Sequence, residues 1–141
     1  MTDEELVHGF ETATLPAAAL SHVEHVRVAW WYLTQHAFPE ALARFCDALR
    51  RFAAANGVRD RYHETITVAY VLLIAERLDA MRGEPWSAFA AAHPELLSWN
   101  PSVLSQYYSE EVLQSPRARR VFVMPDRVAV PAIGGPFEQP A

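Results

Sequence analysis

From Pro39 to Asn56, Leu42, Phe45, Leu49 and Phe52 fall on one stripe of a 3.6-residue helix. Arg44, Asp47 and Arg51 fall on the opposite side. This pattern predicts an amphipathic helix, opened by Pro39 in its first turn and stopped at Asn56-Gly57. Before it, residues 17–36 hold no Gly or Pro and follow Pro16, a first-turn proline, which predicts a long helix from Ala17 to His36. After it, Asp60 reads as the N-cap of a third long helix, from Arg61 to Met81, ended near Gly83.

Outside these three helices the pattern is weaker. Residues up to Leu15 are compatible with an extended arm or a short helix. A short helix is predicted from Pro85 to Ala92, before His93-Pro94. Asn100-Pro101 reads as a turn, followed by a helical piece through Tyr107 and Tyr108. Ser115-Pro116 reads as N-cap and first position of a helix through Arg120. Val121–Val123 is β-prone but too isolated to build a sheet. From Pro125 onward the chain carries four prolines and Gly134-Gly135, which predicts an extended or mobile tail. The expected fold is therefore all-α: an antiparallel bundle of three long helices plus short C-terminal helices. It forms a single domain over residues 1–127, with a tail at 128–141 wrapped over it or free.

The same helical projection exposes an unusual interior. On the first long helix Val26, Ala29, Trp30 and Leu33 form the apolar arc, with His22 near its middle and His25 one turn on. His36 falls on the same side. On the third, His63, Tyr70 and Arg77 recur every seven residues within an arc that also holds Tyr62, Ile66, Thr67 and Ile74. Buried imidazoles and hydroxyls cost roughly 1–3 kcal/mol each unless they find partners. Hydrogen bonds among themselves, a polar ligand, or a metal would each supply them.

Two histidines one turn apart and a third from a facing helix suit a three-ligand site with an open fourth position, the arrangement of catalytic zinc. An added carboxylate, from Asp60 or Glu64, would suit non-haem iron, although Glu64 points away. His22, His25 and His63 are the expected ligands of one Zn or Fe per chain. Tyr70 or Thr67 is expected to orient a ligand or water, with Arg77 as a counter-charge and Trp30 against the substrate. Neither HExxH nor the paired ExxH of di-iron bundles is present.

Composition narrows the alternatives. The 141 residues are 51% hydrophobic and 21% charged, as in a globular domain. A net charge of −5 argues against a protein built to grip nucleic acid, and no run reaches membrane-spanning length. One cysteine, Cys46, precludes an intrachain disulfide and a cysteine-rich zinc site, and reads as a packed thiol. All twelve basic residues are arginine, so no lysine Schiff base or Walker lysine exists. The acidic N-terminus lacks signal-peptide order, and a cytoplasmic protein is expected. Arg117, Arg119 and Arg120 form a small basic patch, and Arg27 is three residues from Glu24, a weak surface pair. Trp31 or Tyr32 left uncovered would point to a homodimer.

The segments HVEHVRVAW, from His22 to Trp30, and YHETIT, from Tyr62 to Thr67, resemble a small uncharacterised bacterial all-α family with HxxHxRxAW and YHxTxT segments. The similarity runs from about His22 to Arg127 and includes the YYS and FVMPDR pieces. The resemblance brings no activity. It implies that His22, His25, Arg27, Trp30, Tyr62, His63, Thr65 and Thr67 matter more than His8, His36 or His93, although the helical projection places Arg27 and Thr65 outward. The leading expectation is a small metal-binding protein or metal-dependent enzyme acting on a small molecule. The alternatives are a binding module with a polar His/Tyr/Arg pocket and an interaction protein with a buried polar network.

Overall fold

The computed structural model describes residues 1–127; the expected tail at 128–141 lies outside the described residues. Among them are seven α-helices and no strand, so the protein is all-α. The helices are α1 (Asp3–Glu11), α2 (His22–Gln35), α3 (Phe38–Ala55), α4 (Glu64–Leu78), α5 (Trp86–Ala92), α6 (Glu110–Leu113) and α7 (Pro116–Arg120). None is long and apolar enough to cross a membrane.

The weakly periodic N-terminus is helical because its cap is strong. The Thr2 side chain accepts from the Glu5 amide and the Glu5 carboxylate accepts from the Thr2 amide, a reciprocal capping box. Leu6, Val7 and Phe10 are buried, and α1 packs against α2 and α3. Phe10 stacks on Phe45 and Phe52 of α3, with ring centroids 6.0 and 5.3 Å apart. Arg27 does not pair with Glu24. Its guanidinium donates to Asp3 at 2.7 Å and to the Met1 carbonyl at 3.1 Å, fastening α1 to α2.

Two helix starts differ from expectation, and both differences move histidines. Pro16 leads a 3-10 turn, Ala17–Ala19, instead of the first turn of α2. Leu20 and Ser21 then leave helical space, and α2 begins at His22. Likewise Arg59–Arg61 is a 3-10 turn, Tyr62 is extended, and α4 begins after His63 rather than Asp60. α3 matches its expected span within a residue or so, and Gly57, at φ +70°, takes the left-handed turn that ends it. Ser109 and Ser115 cap α6 and α7 by accepting from the Val112 and Ala118 amides.

α2 lies against α1, α3 and α4, and α7 packs on α4. The chain after α7 is extended but joins no sheet. Thr65, expected outward, is fully buried beneath it: its hydroxyl donates to the Val121 carbonyl at 2.8 Å and accepts from the Val123 amide at 3.0 Å. Tyr108 adds a bond to the Val123 carbonyl, and the Arg127 amide bonds to the Tyr107 carbonyl. Pro125–Arg127, where an extended or mobile tail is expected to begin, is tied to the domain through the Arg127 amide. Trp30 is core, Trp31 is half-buried against that core, and Tyr32 is buried with its hydroxyl on Glu11. Neither of the last two offers the uncovered patch that would have pointed to a homodimer.

A candidate ligand cavity between α2, α3 and α4

A cavity of about 410 Å³ opens between the first half of α2, the second half of α3 and the first half of α4. α2 contributes His22, His25, Val26 and Ala29; α3 contributes Phe45, Leu49, Phe52 and Ala53. α4 contributes Ile66, Thr67, Tyr70 and Ile74, and the segment before it adds Arg61, Tyr62 and His63. Trp99 completes the wall from a turn far along the chain. The lining is mostly apolar with a few convergent polar groups, and the volume lies within the range of small-molecule sites.

The three expected histidines do share this cavity, but they are engaged differently. His63 caps α4: its Nδ1 accepts from the Ile66 amide at 3.1 Å. Its Nε2 therefore carries the proton and donates to the Leu113 carbonyl at 2.6 Å. His22, in the first turn of α2, donates from Nε2 to the Leu96 carbonyl at 2.8 Å. The Nε2 of His25 is buried and has no partner. Its nearest ring is Phe10, packed edge-on at 6.2 Å. Among the described residues no group of three His, Cys, Asp or Glu side chains is placed to hold a metal ion. As arranged, the rings of His22 and His63 are turned to backbone carbonyls and do not fit that role.

Burial fixes the charge state of these rings. Desolvation lowers the pKa of His25 to about 4, with the His22 charge adding to the effect and Glu24 opposing it. Desolvation also lowers His22, partly offset by the Leu96 carbonyl, and lowers His63, partly offset by the Leu113 carbonyl. The cavity thus presents neutral imidazoles at neutral pH.

The hydroxyls expected to orient a substrate have protein partners. Thr67 donates to the His63 carbonyl at 2.7 Å. Tyr70 shares a 2.6 Å bond with Ser102 Oγ, and burial pushes its pKa up, so it stays protonated and is no base. Arg77 lies outside the cavity, on Glu95 at 2.9 Å. Trp30 packs away from it against Trp86 and Phe89, and its indole nitrogen is buried without a partner. Cys46 is a buried thiol whose pKa desolvation raises, as expected of a packed residue. His36 lies near Glu40 on the surface.

Two wall residues escaped the sequence reading. Trp99 is 52% exposed and leans on His22 and Tyr70, with centroids 5.1 and 6.3 Å apart. It sits on the turn around Asn100-Pro101, closed by the Trp99–Ser102 bridge and the Ser98 bond to the Pro101 carbonyl. A large aromatic beside Asn-Pro was the available signal, because turns lie at the surface and exposed aromatics mark contacts. Arg61 was read only as the start of a helix. Its place on a 3-10 turn before α4 puts it on the cavity wall. Compared with family models, with curated proteins and with solved structures, the chain matches none.

Proposed function

We propose that this protein is a non-metal binding module that takes one small organic molecule into the cavity between α2, α3 and α4. The observation that carries this reading is the mostly apolar cavity itself, whose wall includes His25, a residue with a buried Nε2 that has no protein partner. A buried nitrogen without a partner costs about 1–3 kcal/mol, and a ligand group that pairs with it recovers that cost. The mostly apolar lining supplies the remaining affinity through burial. In this reading α2, α3 and α4 form an antiparallel bundle. The cavity occupies the end where α2 and α4 start and α3 finishes, as their lining residues suggest. Trp99 covers the mouth. The protein works in a reducing compartment, the cytoplasm, where Cys46 stays a thiol.

The test uses a neutral aromatic probe, 2-naphthol, on the full chain. Its fluorescence should change saturably on titration, with the imidazole NMR signals of His25 moving in step. Ala29→Leu and Leu49→Phe, which fill the cavity from different helices, should each abolish the response while the circular dichroism spectrum stays helical. Elemental analysis belongs beside it. One equivalent of zinc or iron per chain, lost in His63→Ala, would overturn this reading in favour of a metal site. So would a probe response that both filling variants leave intact.

A further inference from the structure

We infer that the natural ligand is an amphipathic monocarboxylate, with an apolar body inside the cavity and its carboxylate on Arg61. This rests on the ligand-binding reading above and adds the chemical class. The charge inventory of the wall carries it. Arg61 is the single formally charged side chain lining the cavity, and neither Asp nor Glu lines it. The imidazoles around it are neutral at neutral pH, and the hydroxyls of Thr67, Tyr62 and Tyr70 already bond to His63, Glu64 and Ser102.

Three other arginines are engaged, and Arg59, on the same turn and equally without a side-chain partner among the described residues, does not line the cavity. Arg50 holds Glu64 at 3.1 Å, Arg77 holds Glu95, and Arg119 donates to the Asp60 carbonyl at 3.0 Å. Among the described residues Arg61 makes no side-chain hydrogen bond and no ion pair, even with its neighbour Asp60. Arg61 is exposed, and the rest of the wall is mostly apolar.

Each other ligand class meets an obstacle. A cation would find no carboxylate on the wall. A phosphate dianion would rely on one guanidinium, where such groups are ordinarily held by several charge-assisted donors. A wholly apolar molecule would leave Arg61 without a role. A single carboxylate matches the fork of one guanidinium in a bidentate pair.

The experiment compares two matched series on the full chain by calorimetry at pH 7.5: ω-phenylalkanoates of two to eight chain carbons, and their primary amides. In the best-fitting pair the acid should bind at least tenfold more tightly than the amide. Arg61→Gln, at an exposed position, should bring the acid down to the level of the amide and leave the amide unchanged. Added salt should weaken the acid alone. If amides bind as tightly as acids and Arg61→Gln alters neither, the carboxylate assignment fails while the ligand-binding reading stands. If neither series nor 2-naphthol binds the wild-type protein, both fail.

Discussion

His63 and His25 line the same cavity from facing helices, yet their ring nitrogens have opposite fates. His63 stands at a helix start. Its Nδ1 takes the Ile66 amide and its Nε2 reaches Leu113, joining α4 to the C-terminal segment. His25 stands inside the first turns of α2, where backbone amides and carbonyls bond within the helix, and its Nε2 is left unpaired. Two residues on, Thr65 repeats the behaviour of His63 by gripping Val121 and Val123. The α4 side of the cavity thus latches the segment around Leu113 to Val123, whereas on the α2 side His22 holds Leu96 and His25 Nε2 has no protein partner. Inward-facing histidines that look equivalent on a helical projection separate into structural and available groups only when their backbone positions are known.

Acid should expose the difference most strongly. The folded protein holds His25 neutral down to about pH 4, whereas the unfolded chain protonates it near 6.5. Its contribution is complete above pH 6.5 and is lost as the pH falls toward 4, because the unfolded state then binds the extra proton. The shift corresponds to about 3 kcal/mol. Urea unfolding at pH 7.5 and 4.5 should show this loss in the wild type and a smaller one in His25→Leu. At pH 7.5 His25→Leu should be neutral or slightly stabilising, because it removes an unpaired nitrogen. His63→Leu should instead cost about 2 kcal/mol at pH 7.5, from a lost cap and an unpaired Leu113 carbonyl. Equal costs for the two substitutions at pH 7.5 would erase the distinction between them.

How much of this was legible depended on where the cues lie. α3 was readable because its stripe is unbroken and both ends carry chemical stops, Pro39 and Gly57. α1 was left open between an extended arm and a short helix although Thr2 and Glu5 spell a capping box, since nine residues give too little periodicity to register. Ser21 and Glu24 were a similar cue for the start of α2, outweighed by Pro16. The start of α4 carried no such cue: a histidine cap is not among the preferred residue types. The projection did bring His22, His25, His63, Thr67 and Tyr70 to one cavity. It did not show that Arg77 and the interior Trp30 lie off the cavity, because their neighbours, Glu95 and Trp86, come from later segments that a single helix cannot reveal. Thr65 looked outward for the same reason, since what buries it arrives more than fifty residues later.

The latch itself can be tested without touching a histidine. Thr65→Val keeps the shape and removes the hydroxyl, leaving the Val121 carbonyl and Val123 amide unpaired, at a cost of about 2 kcal/mol. Hydrogen exchange at the Val123 amide should accelerate far more than exchange in α3. Uniform acceleration would mean that the C-terminal segment unfolds only together with the core.

The smallest effect should come from the cavity mouth. Tyr70→Phe removes the bond to Ser102 Oγ, which also accepts from the Leu104 amide and so holds the turn bearing Trp99. A single neutral hydrogen bond of this kind contributes about 1 kcal/mol, and Ser102 keeps its other partner. Global stability should therefore drop only slightly. The local consequence should be larger: the Trp99 indole signal should broaden or shift, and probe release from the cavity should quicken. His25→Leu should instead weaken binding of a hydroxyl-bearing probe without disturbing Trp99. If Tyr70→Phe slowed release, or His25→Leu moved the Trp99 signal as much as Tyr70→Phe does, the polar groups of α2 and α4 would be acting as one network. The division between the latch and the unpaired His25 would then be lost.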